Sequence, residues 1–146
     1  MKKSILILFS IFICSCQHSI QDKIINAIQQ NEKKDSCVVT IANITSFDWD
    51  KMYVFVKNSG IEDVNKQLGF TYPYYEDNAK RIIFLKSKKI VYHEEEYPDP
   101  DKKSKLVFLP KCDTVNVMVF TKRTAIFCAK KKDFCGWIYY ELKPKR

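Results

Sequence analysis

The residues of this chain that could do chemistry are few. It has two histidines, His18 and His93. Histidine suits acid–base work near neutral pH, and it ligates metals. His93 precedes Glu94, Glu95 and Glu96, with Asp99 and Asp101 beyond. In an extended segment, alternation puts His93 and Glu95 on one face. A zinc or hard-cation site would still need further ligands from elsewhere in the chain. A solvated strand end accounts for the run better, so no metal and no cofactor is assigned. The chain lacks G-x-S-x-G, H-E-x-x-H, the P-loop and the dinucleotide fingerprint, and no carboxylate pair stands out. The expectation is a protein that is not an enzyme. The six cysteines, at 14, 16, 37, 112, 128 and 135, show no Cys-x-x-Cys spacing. Zinc binding and thioredoxin-like redox chemistry therefore have little support.

The cysteine with the most specific chemistry is Cys16. Lys2 and Lys3 are followed by an apolar stretch over residues 5–13, broken only by Ser10. That length suits the core of a secretory signal and falls short of the roughly 20 apolar residues that span a bilayer. The stretch ends in Ile13-Cys14-Ser15-Cys16, which resembles the lipobox of bacterial lipoproteins: an aliphatic residue, a tolerant position, a small residue, then cysteine. The resemblance implies cleavage after Ser15 and a lipid thioether on Cys16. Residues 1–15 are thus expected to be a lipoprotein signal peptide, 16–36 a lipidated tether with an N-terminal helix, and 37–146 a single α+β domain. Two or three acyl chains anchor stably, at about 0.8 kcal/mol for each buried CH₂. The membrane, reached through the N-terminal lipid, is the first expected partner. Gln17 stands where an aspartate would signal inner-membrane retention, which favours the outer membrane, facing the periplasm.

An extracytoplasmic address makes the other cysteines candidates for disulfides. With Cys14 removed and Cys16 lipidated, Cys37, Cys112, Cys128 and Cys135 remain, and four cysteines allow three connectivities. If residues 125–129 and 134–140 are strands joined by a loop over residues 130–133, Cys128 faces Cys135 at a cross-strand distance of about 4.5–5.5 Å. Cys37 then pairs with Cys112 by elimination, closing a long loop and contributing about 3–5 kcal/mol in the chain-entropy model. Loss of Lys2 and Lys3 lowers the net charge from +8 to +6. The lysines cluster where turns are expected. Nucleic acid is not an expected partner outside the cytoplasm, whereas anionic lipid or an acidic protein is a minor alternative.

The elements follow from periodicity and turn chemistry. Ile20, Ile24, Ala27 and Ile28 share a helical face, with Ser19 and Asp22 as a cap. Residues 37–45 and 51–57 are expected strands. Ser59 and Glu62 form an S-x-x-E capping box for a short helix that places Ile61, Val64 and Leu68 on one face and ends at Gly69. The tyrosine-rich residues 70–78 form a loop. Residues 81–86 and 89–95 form a hairpin about Ser87-Lys88. After a break over residues 98–103, strands recur at 105–109, 115–121, 124–129 and 136–142, and residues 143–146 fray. The expected class is α+β: a curved antiparallel sheet of five to seven strands with one or two helices packed on it, and two disulfides.

One segment carries a second resemblance. Phe47-Asp48-Trp49-Asp50-Lys51-Met52-Tyr53-Val54-Phe55, then Leu68-Gly69-Phe70, then residues 81–92 (RIIFLKSKKIVY) are similar to small uncharacterised bacterial lipoproteins and secreted proteins. That group carries an F-D-W-D-K-x-Y-x-F stretch followed by a short helix and a hairpin. The resemblance covers residues 40–93 and implies location and architecture, without a chemistry. Within it, Asp48, Trp49 and Asp50 could present an aromatic flanked by acids to a partner. Alternatively, Phe47 and Trp49 point inward and the acids outward. Tyr72, Tyr74 and Tyr75 offer a second contact surface, since loop tyrosines give area at low entropy cost. The leading expectation is a membrane-anchored, non-enzymatic envelope lipoprotein binding a protein or cell-wall partner. The alternative is a periplasmic inhibitor or immunity protein against a toxin or wall hydrolase.

Overall fold

A computed structural model describes residues 19–31, 36–101, 103–112 and 114–145. The signal segment and Cys16 lie outside the described residues. Three helices and eight strands are present among the described residues: α1 (Ile20–Gln29), β1 (Ser36–Thr40), α2 (Ile41–Ile44), β2 (Lys51–Phe55), α3 (Ile61–Leu68), β3 (Lys80–Lys86), β4 (Lys89–Glu96), β5 (Leu106–Phe108), β6 (Val117–Thr121), β7 (Ile126–Phe134) and β8 (Trp137–Pro144).

The α+β class holds, but the single sheet does not. The strands divide into two four-stranded sheets, ordered β1-β7-β8-β5 and β4-β3-β2-β6. All pairs are antiparallel except β5 with β8, which is parallel. The division follows from the burial of β2 and β3. Met52, Val54, Ile82 and Phe84 pack toward the other sheet, in one core with Val39, Phe127, Ala129, Tyr140 and Leu142. Tyr53, Phe55, Ile83 and Leu85 pack on the opposite face, under Val64 and Leu68 of α3 and Tyr72. A strand covered on both faces is apolar at nearly every position. The result is three layers: sheet, sheet, helix.

α1 closes one side of the inter-sheet core with Ile20, Ile24 and Ile28, each at most 4% exposed. Ser19 Oγ accepts from the Asp22 N–H at 3.0 Å, the expected cap. The Ile20 N–H donates to Glu94 Oε2 at 2.8 Å, so a carboxylate also sits at the positive end of the helix. The expected strand over residues 37–45 stops at Thr40. Ile41 N–H donates to Ala125 O and the chain coils into α2, burying Ile41. The capping box of α3 does not form: the cap position is Gly60, and Ser59 Oγ turns back to Lys57 O. Gly69 does close α3, at φ 80°, with its N–H on Asn65 O. The hairpin about Ser87-Lys88 forms, both residues having positive φ as a type I′ turn requires.

The disulfide geometry is corrected by the β7–β8 register. β7 continues through the lysines to Phe134, and the turn is Cys135-Gly136, at φ 53° and 81°. Cys128 therefore lies opposite Lys143, far from the turn that holds Cys135. Residues 130–132 look like a loop by charge alone, but they lie on strand positions open to water. Among the described residues, none of the expected disulfides joins Cys37, Cys112, Cys128 and Cys135. β8 likewise runs on to Pro144, over residues expected to fray.

Candidate functional site

The two sequence-predicted contact regions lie at opposite ends of the β2–β3 ladder, which pairs Lys51 with Leu85 at one end and Phe55 with Arg81 at the other. Four strand steps separate these ends, about 14 Å.

At the first end, Trp49 is fully buried and roots the Asp48-Trp49-Asp50 segment. Its ring meets Phe84 edge-on at 5.1 Å, and Nε1–H donates to Thr45 Oγ1 at 3.0 Å. Trp49 is therefore an anchor for its neighbours. Asp48 and Asp50 project outward on either side of it. Lys86 Nζ reaches Asp48 Oδ2 at 2.8 Å and Asp50 Oδ1 at 2.9 Å. Lys122 Nζ bonds Asp48 Oδ1, and the Ser87 N–H donates to Asp50 Oδ2 at 2.7 Å. Hydrogen bonds from Lys122 and Lys86 hold the Asp48 carboxyl well below the usual carboxylate range. The Ser87 amide and Lys86 lower that of Asp50. Two shallow hollows flank Asp50. One, of about 540 Å³, is lined by Trp49, Thr121, Lys122 and Arg123. The other, of about 380 Å³, is lined by Lys51, Tyr53, Leu68, Phe70 and Ser87.

At the second end, the tyrosine loop folds back on its sheet. Tyr72 is 2% exposed, and its hydroxyl donates to Glu95 Oε1 at 2.6 Å. Burial, then Glu95, push that hydroxyl's pKa far up, so it holds its proton throughout the neutral range. Tyr75 donates to Ser59 O at 3.2 Å and Asp77 Oδ1 at 2.9 Å. Only Tyr74 turns out, half exposed and stacked on His93 at 4.0 Å.

The organising residue here is Arg81, which sequence reasoning missed. Its side chain is wholly buried beside the carboxylate of Glu95, Nε to Oε2 at 2.9 Å. Nη1 donates to Ser59 O at 3.3 Å and Nη2 to Glu76 O at 2.6 Å, while the guanidinium carbon lies 4.7 Å from the Tyr75 ring centre. One guanidinium thus ties β3, β4, the segment before α3 and the tyrosine loop together. A signal was available: Arg81 shares strand parity with Ile83 and Leu85, a face destined for burial, where an arginine needs a partner.

Chemically, these groups are committed to one another. Glu95 serves Arg81 and Tyr72, and Glu94 serves α1 and the Tyr92 hydroxyl. His93 Nδ1 is enclosed without a hydrogen-bond partner among the described residues. No group of three or more metal-ligating side chains gathers among the described residues. The cavity lined by Val54, Ile82, Leu106 and Phe108 offers about 50 Å³, well below the several hundred Å³ of ordinary ligand pockets. No helix among the described residues is long and apolar enough to cross a membrane. The chain matches no family model, no curated protein and no solved structure.

Proposed function

We propose that this chain is a lipid-anchored protein of the bacterial outer membrane, facing the periplasm, whose body is a non-enzymatic module that binds a protein or cell-wall partner. The lipobox at Cys16 and the likeness of residues 40–93 to small bacterial lipoproteins support the address. Four residue steps join Cys16 to the start of α1, so the start of α1 can lie at most about 14 Å from the lipidated residue.

The observation that carries the binding reading is the ridge at Asp48 and Asp50. A buried tryptophan fixes its base, lysines hold both carboxylates ionised, and a hollow opens on each side of Asp50. Rigid relief built of paired charges suits a preorganised contact with a hydrogen-bonding partner surface. The test places a photo-crosslinking amino acid at Arg123, on the rim of one hollow, in the native lipidated protein in envelope membranes. The expected result is one dominant adduct that disappears with Asp50→Lys and persists with Tyr97→Ser, a surface change elsewhere. Crosslinking no stronger than from a probe at Tyr97 refutes this surface as the contact.

A further inference from the structure

The sheet that holds β7 and β8 does not cover their whole length. β1 pairs with β7 only from Ile126 to Lys130, and β5 pairs with β8 only from Tyr140 to Leu142. Residues 131–139 therefore form a two-stranded finger with no third strand on either side among the described residues, reaching about 14 Å past Lys130 at 3.4 Å per residue. Its end is built firmly. Cys135 and Gly136 make the positive-φ turn, and Asp133 Oδ1 accepts the Gly136 N–H at 2.8 Å.

The end also carries the most exposed large apolar side chain among the described residues. Phe134 is 61% exposed and Ile138 44%. Trp137 stacks on Tyr139 at 4.9 Å, and Lys103 Nζ lies 5.6 Å from the Phe134 ring centre and 5.5 Å from that of Trp137. Behind the tip stand the lysines at 130, 131 and 132. Of the nearby acids, Asp133 is turned into its own turn and Glu141 lies 3.9 Å from Lys132. Aromatic residues at the point with lysines behind them match the depth profile of a bilayer surface: rings at the interface, ammonium groups among anionic headgroups. A stable protein contact needs roughly 800 Å² from each partner, whereas shallow insertion of a few side chains into lipid needs no such area.

We propose that the β7–β8 finger docks on an anionic phospholipid bilayer, giving the body a second attachment beside its lipid. The inference rests on the lipid-anchored reading only for bringing the bilayer near.

Tryptophan fluorescence tests it, because Trp49 is enclosed and Trp137 is not. The full lipidated chain is placed on phosphatidylcholine vesicles with and without phosphatidylglycerol, each carrying brominated lipid, and compared with Trp137→Phe. On the anionic vesicles Trp137 emission is expected to shift to the blue and be quenched by bromine, while Trp49 stays unchanged. Replacing Lys103, Lys130 or Lys132 with glutamine should weaken docking about fivefold each. These side chains lie on the surface, and unchanged Trp49 emission confirms folding. Trp137 emission that is equally open to aqueous quencher on both vesicles overturns the proposal. So does a blue shift already present without vesicles and lost on dilution, which assigns the tip to a second copy. A chain that leaves neutral vesicles refutes the lipid anchor alone. The Trp137 signal on anionic vesicles then still decides the finger.

Discussion

Removing Glu95 should unfasten the tyrosine loop and destabilise the whole body. Glu95→Ala leaves a guanidinium of 0% exposure with two carbonyl acceptors and no counter-charge, and strands the Tyr72 hydroxyl. Breaking a buried pair by deleting one partner costs about 3–5 kcal/mol. With a urea m-value near 2 kcal/mol per M, the unfolding midpoint falls by about 2 M. Arg81→Met should cost less, because the carboxylate left behind is 11% exposed and can rehydrate. The triple change Arg81→Met, Glu95→Leu, Tyr72→Phe removes every charge and hydroxyl of the network. It should recover most of the stability, since apolar replacements of buried pairs are often neutral. It should also loosen the loop, so that chymotrypsin cuts faster at Tyr74. The assays are equilibrium unfolding in urea and limited proteolysis. A Glu95→Ala midpoint within the range of an exposed ion pair, below about 1 kcal/mol, would refute the reasoning, because Arg81 would then be hydrated.

Trp49→Ala should cost about 3–5 kcal/mol by the same denaturation assay, whereas Asp48→Asn, on the exposed side of the same segment, should leave the midpoint in place. Gly69→Ala, at φ 80°, should cost about 1–2 kcal/mol. Burial and Glu94 push the Tyr92 hydroxyl up to about 12, above its value of about 10 in the unfolded chain. The stability it gives is complete below pH 10 and is lost as pH rises from 10 to 12, and Tyr92→Phe should flatten that decline in alkaline unfolding curves. Peptide mapping after iodoacetamide treatment of the native protein should find Cys112 and Cys135 labelled first and Cys37 last, since burial raises the Cys37 thiol. A Cys128–Cys135 crosslinked peptide would contradict the β7–β8 register.

Elements with local signals were legible. The isoleucine spacing of α1, its serine cap, Gly69 and the Ser87-Lys88 turn all lie where residue chemistry puts them. What depended on distant partners was not. β2 and β3 are apolar on both faces, so alternation could not count the layers, and one sheet was expected where two face each other. The lysines at 130, 131 and 132 resemble a turn by composition, yet their backbone is held by β8 while their side chains meet water. The parallel pairing of β5 with β8 leaves no mark in so short a strand. At the candidate site, the alternation of Phe47 and Trp49 against the acids is as expected, but it belongs to the segment before β2: Trp49 joins the core of Met52 and Val54, which the parity of Tyr53 and Phe55 would not have placed it in. Tyr72 and Tyr75 were drawn inward by Arg81, whose partners come from three separate segments.

The address of the protein underlies its proposed role, and mass spectrometry of the native N-terminus tests it most directly. The expected species begins at Cys16, lacks residues 1–15 and carries a diacylglyceryl thioether. A chain that keeps Met1 and bears no acyl mass would contradict the account.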